Sequence, residues 1–234
     1  VGFYSGSTKA GPLRLAAVVG VGHHPDSFGC TANAWDVEAL RQQRRRDFLT
    51  CDSGFLDVFC DSLIPQVEEY LGMPGLPMAS RAILGCSLSS LFAQRLLFLR
   101  PRLFGKYILG SPSLHLAPDV FELAKAALSA AEQRPASVES LPRDVGVIFV
   151  FGEGEDSGPN TVDHCGRMAG NGIPDACRKM AGMLQSLGLE DVEVRRVAGE
   201  SHDTLKPALI SQGFTWLEKQ WLKPPTETAY VSHA

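Results

Sequence analysis

The chain has 234 residues, 44% of them hydrophobic and 21% charged, with a net charge of −4. That length is enough to bury a sizeable core in one domain, and the mild acidity gives no electrostatic footprint for nucleic acid. No apolar run approaches the roughly 20 residues that span a bilayer, so neither nucleic acid nor membrane is expected as a partner.

The six cysteines (Cys30, Cys51, Cys60, Cys86, Cys165, Cys177) lack CxxC spacing, and no secretory signal is visible at Val1. Both features point to thiols in a reducing compartment and a cytoplasmic protein. Cys165 and Cys177 would bridge only in a secreted chain. His23-His24 with Asp26 and Cys30 fits no zinc spacing, because adjacent histidines point different ways, so no metal is expected. Arg41–Arg46 is a basic run flanked by Asp36, Glu38 and Asp47, which reads as a solvated face.

In chain order, Val1–Leu13 is irregular, broken by Gly2, Gly6, Gly11 and Pro12. Leu15–Gly20 is a continuous apolar run that predicts a strand buried on both faces. Val21–Asp52 is a long polar connection, expected to hold a short helix around Trp35–Arg45 and to shape a site mouth. Asp52 or Ser53 then caps a helix marked by Phe55, Leu56, Phe59, Leu63, Val67 and Leu71 at helical spacing. Pro65 is expected to kink it, and Gly72, Pro74 and Gly75 to end it.

The run Ala82-Ile83-Leu84 meets Gly85-Cys86-Ser87-Leu88-Ser89, and an amphipathic helix pattern follows over 88–99. Strand, tight turn and helix with a serine at the apex form the layout of a nucleophile elbow, one residue short of G-x-S-x-G because Ser89 stands where the second glycine usually does. The same pattern also suits a plain helix cap by Ser87. Further strands are predicted at 106–110, 145–151 and 192–197, and further helices at 118–133 and 172–187 and from about 204 to Trp221. The tail over 223–234 is expected to fray.

Alternating strands and helices argue an α/β architecture with a mostly parallel sheet and helices on both faces. Ser87, the carboxylates of Gly152-Glu-Gly-Glu-Asp156, and His202 each follow a strand's carboxyl end. In a parallel sheet those ends share one edge, where open α/β sheets place their sites.

The sequence resembles the group of α/β-hydrolases that includes esterase D and the ferric-enterobactin-type siderophore esterases. The resemblance spans about 14–222 and rests on Val18–Gly22, Arg46-Asp47, Phe55–Tyr70, Ile83–Ala93, Pro101–Ser113, Gly152–Glu155 and Gly199–His202. It implies one α/β-hydrolase domain over 1–222 and a serine esterase that cleaves a small or siderophore-like ester without a cofactor. Ser87 would be the nucleophile and His202 the base, with Leu88 N–H one donor to the oxyanion. The implied acid is Glu155 in preference to Asp156 or Glu153, which are read as solvated loop charges. Arg46 and Asp47 match an Arg-Asp pair of the group, with a structural ion pair as the expected role. His115, His164 and His233 are read as surface residues.

The first three strands of that fold have no counterpart, so the chain is expected to be N-terminally truncated, with a gap in the sheet beside the elbow strand. The second oxyanion donor, usually supplied by the loop after the third strand, would be missing too. Val1–Tyr4 is read as a remnant of the segment that follows that loop. The alternative is a non-catalytic binding protein of the same fold, or an inactive fragment of a longer esterase. Oligomeric state is open.

Overall fold

The structure, a computed structural model, describes residues 2–4, 16–21, 37–51, 53–132, 141–156 and 172–223. Contacts divide the chain into two compact units, Val1–Gln43 and Arg44–Ala234, within the span that the sequence assigns to one domain.

The first unit holds β1 (Gly2–Tyr4), β2 (Ala16–Val18) and most of α1 (Val37–Arg44). Here the structure corrects the sequence twice. The segment read as irregular contains β1, and the apolar run is not a buried member of the parallel sheet. It pairs antiparallel with β1 over Gly2↔Val18, Phe3↔Ala17 and Tyr4↔Ala16, and Val18 stays 40% exposed. An apolar run of this length supports either kind of strand, and the partner strand decides which one forms.

In the second unit, π-helical turns at Arg45–Leu49 lead to α2 (Ser53–Asp57), a π-helical stretch (Val58–Leu63) and α3 (Ile64–Tyr70). Pro65 does not end this run. The ladder widens ahead of it, so that Ile64 N–H donates to Phe59 O, and Pro65, which has no N–H to give, follows directly on that widened turn.

Then follow β3 (Ala82–Cys86), α4 (Leu88–Leu99), β4 (Lys106–Gly110), α5 (Pro118–Glu132), β5 (Gly146–Gly152), α6 (Ile173–Ser186), β6 (Asp191–Val197) and α7 (Leu205–Leu222). The four strands form one parallel sheet in the order β3-β4-β5-β6, with Cys86 opposite Gly110, Gly110 opposite Val150 and Gly152 opposite Val197. Monotonic order with crossovers of one hand puts α4, α5 and α6 on the same face, leaving the other for α7.

Side-chain burial follows that arrangement with period two. Tyr107 and Leu109 of β4 and Val147, Phe149 and Phe151 of β5 pack into the core shared with α2–α6. Their neighbours Ile108, Ile148 and Val150 pack against Leu205, Leu209, Trp216 and Leu217 of α7. Each such buried side chain contributes about 1.5–3 kcal/mol relative to exposure, so the two inner strands anchor both layers.

On the larger face Phe92 of α4 meets Phe48, Phe55 and Phe59 at ring-centroid distances of 5.8, 5.2 and 5.1 Å. Buried Arg95 ties the same helix to α5 through Asp119, at 2.9 Å from both Nε and Nη2, and to the 45–49 turn through Phe48 O at 2.9 Å. Among the described residues no helix is long and apolar enough to cross a membrane.

Candidate active site

The parallel register sets the carboxyl ends of β3, β4, β5 and β6 along one edge, and each end contributes a polar side chain there. At the end of β3, Ser87 has φ 59° and ψ −118°, a conformation that L residues avoid. Its side chain makes no capping bond to α4, which removes the reading of Ser87 as a plain helix cap. The turn is stapled to β4 by Ser87 N–H donating to Gly110 O at 2.8 Å and by Ser90 Oγ donating to the same carbonyl at 2.9 Å. Gly85 must be glycine, because a Cβ there would lie 2.5 Å from Ser89 O and 2.7 Å from Ser90 N, both rigid backbone.

Ser89, the departure from G-x-S-x-G, does not crowd the turn. Its Oγ accepts from Cys86 N–H at 2.9 Å and donates to Cys86 O at 2.9 Å. Burial raises the Cys86 thiol above its ordinary pKa of 9.0, so the thiol beside Ser87 stays protonated and weakly nucleophilic.

At the end of β5 a single 3₁₀ turn, Glu153–Glu155, buries Glu155. Its carboxylate collects three bonds: Ser111 Oγ–H at 2.6 Å and Gly152 N–H at 2.8 Å to Oε2, and His202 Nδ1 at 2.8 Å to Oε1. His202, after β6, then reaches Ser87 Oγ with Nε2 at 3.1 Å. The structure thus brings Ser87, His202 and Glu155 into one hydrogen-bonded line. Leu88 N–H is the first amide of α4, in the turn where helix amides have no intrahelical acceptor.

Glu153 and Asp156 are not free solvated charges. Arg196 pairs with Glu153 at 2.9 Å and with Asp156 at 2.8 Å, Arg178 reaches Asp156 at 3.3 Å, and Glu153 accepts from Gly199 N–H at 2.8 Å. These contacts, with Gly154 N–H donating to Glu200 O at 2.9 Å, clamp the loop of Glu155 to the loop of His202. Gly152 permits the clamp, since a Cβ there would meet Glu200 O at 2.5 Å.

Two serines near the site carried no assigned role in the sequence. Ser111, buried at φ 36°, holds Glu155, and Ser113 Oγ lies 3.1 Å from Ser87 Oγ. Both follow the end of β4, the same positional signal that marked the other three. His115, read as a surface residue, is exposed. Desolvation first, and then repulsion from His202, lowers its pKa below 6.5.

Arg46 Nε pairs with buried Asp47 at 2.9 Å, as expected of a structural pair. Cys60, Cys86 and Cys177 are free thiols. His23, His24, Asp26, Cys30, His164, Cys165 and His233 lie outside the described residues. An open hollow lined by Thr50, Arg95, Leu99, Asp119 and Leu123 contains none of the three aligned residues.

A hydroxyl beside an imidazole that is itself held by a buried carboxylate can act as nucleophile, base and orienting acid in acyl transfer. No protein-family model matches the chain, and no curated protein matches it. Among solved structures the chain is similar in fold to the siderophore hydrolase EstA from Aspergillus nidulans, with TM-score 0.55 and 23% identity over 72% of this chain and 57% of that one. It is similar also to the siderophore hydrolase EstB from Aspergillus nidulans, with TM-score 0.52 and 24% identity over 72% of this chain and 58% of that one. The chain therefore spans less than two thirds of the length of either structure, and what it shares with them is the α/β fold.

Proposed function

We propose that the chain is a serine hydrolase that cleaves carboxylic esters, with Ser87 as nucleophile, His202 as general base and Glu155 as the acid that orients it. The observation that carries this reading is the unbroken line of hydrogen bonds from Glu155 through His202 to a serine held at positive φ. Membership of the esterase D and siderophore esterase group is part of the proposal, as is a small or siderophore-like ester as substrate. The fold shared with two siderophore hydrolases supports both.

In this mechanism Glu155 accepts from Nδ1–H and fixes the tautomer that leaves Nε2 free to take the Ser87 proton. Oγ then attacks the ester carbonyl, the proton passes to the departing alcohol, and water repeats the sequence on the acyl-enzyme. Leu88 N–H supplies one donor to the oxyanion; removal of one such donor typically costs about 3–4 kcal/mol of transition-state stabilisation.

A fluorophosphonate probe tests the reading. The folded protein is expected to be labelled at Ser87, and Ser87→Ala to abolish both labelling and ester turnover. A folded protein that takes up no probe refutes the proposal.

A further inference from the structure

We propose that Ser113 is a further catalytic residue, whose hydroxyl donates a hydrogen bond to Ser87 Oγ and thereby directs the single Ser87 proton to His202. The inference rests on the reading of Ser87 as the nucleophile. It begins from an oddity at the end of β4. Ser113 opens the 3₁₀ turn Leu114–Leu116, a position where serine normally caps, yet its side chain makes no capping bond. It is 5% exposed, and among the described residues its Oγ turns to Ser87 Oγ at 3.1 Å.

The directions of the bonds follow from the line of acceptors. Glu155 already receives Ser111 Oγ–H and Gly152 N–H on Oε2, and its Oε1 faces His202 Nδ1. With the carboxylate as acceptor, Nδ1 carries the imidazole proton, and neutral Nε2 must accept from Ser87. The one hydrogen on Ser87 Oγ is thereby used. The contact between the two serines can then be made only by the Ser113 hydrogen, with a Ser87 lone pair as acceptor.

Chemistry at Ser87 strengthens this bond at the right moments. As Oγ gives its proton to Nε2 it gathers negative charge, which a donor at 3.1 Å stabilises until the new bond to the ester carbon passes that charge to the carbonyl oxygen. In deacylation Oγ is the leaving group. The C–Oγ bond breaks, the proton returns from Nε2 to Oγ, and the same donor again faces a developing negative oxygen. Ser113 keeps its own proton throughout, so the balance of the reaction is unchanged.

Ser113→Ala tests the inference by the rate of fluorophosphonate labelling and by ester hydrolysis. Loss of one hydrogen bond that matters in the transition state is expected to lower kcat and the maximal labelling rate about tenfold. KM and thermal midpoint should stay near wild type, whereas a purely structural role would move the midpoint and KM together. Should Ser113→Ala fail to fold, Ser113→Cys, with a weak donor in nearly the same volume, is read by the same criterion. Wild type that labels, with a Ser113 variant labelling equally fast, overturns this inference and leaves the esterase reading intact. Wild type that does not label overturns the esterase reading and this one with it.

Discussion

Ser87 occupies a backbone region that costs a non-glycine residue about 1–3 kcal/mol, and the bonds that Ser87 N–H and Ser90 Oγ donate to Gly110 O, with the tight fit at Gly85, hold it there. Such strain lifts the hydroxyl out of the helix and toward His202. The cost should be measurable by comparing two variants that both lack the hydroxyl. Ser87→Gly is expected to be about 1 kcal/mol more stable than Ser87→Ala in chemical denaturation, because only glycine adopts φ 59° freely. Equal stability would mean that the turn stores no strain. That Ser87, Glu155 and His202 meet at one sheet edge was legible in the sequence, because each directly follows an apolar run of strand length. Ser111 and Ser113 stand in the same register, but serines in a Ser-Pro-Ser turn carry no pattern that separates a hydrogen-bonding role from a plain loop.

β3 is fixed at its start by an ion pair that joins two elements. Glu68, near the end of α3, accepts from Arg81 Nε at 2.5 Å and Nη2 at 2.9 Å, and from the amides of Gly75 at 3.0 Å and Leu76 at 3.2 Å. One carboxylate thus folds the loop after α3 and positions the residue before β3. The hydrogen bond from Arg81 holds the Glu68 carboxyl below its ordinary value of 4.5 against the opposing effect of burial. A depressed folded pKa stabilises the protein above the unfolded value and loses that contribution as pH falls through the folded value. Glu68→Gln should therefore cost about 2 kcal/mol at neutral pH, and its gap to wild type should shrink below about pH 4. Denaturant titrations at both pH values check the sign; a gap that widens in acid would refute it. The helix was legible here from its apolar spacing, but its π-helical stretch was not, because a shift from i→i−4 to i→i−5 bonding leaves the side-chain pattern almost unaltered.

Across the whole molecule, the apolar runs of β4 and β5 and the apolar face of each following helix make the parallel sheet readable from the order of residues alone. The antiparallel β1–β2 pair is not, since its register depends on a partner 14 residues away in sequence that has no strand-like pattern. Among the described residues β3 is an outer strand of the four-stranded sheet. Arg81 O and Ser87 N–H face β4, so Ile83 and Gly85 bond to β4 while Ala82, Leu84 and Cys86 face the other way. Hydrogen exchange should show this alternation, with the Ala82 and Leu84 amides exchanging faster than those of Ile83 and Gly85; uniform protection along β3 would mean that its outer edge is covered. Cys86 is the exception on that side, because the hydroxyl of Ser89 takes both its N–H and its C=O. A serine that looks like a lapse from the motif thus acts as a one-residue substitute for a neighbouring strand. It ties down the backbone next to the Ser87 hydroxyl, so that β3 is quiet at the one step where movement would unseat Ser87.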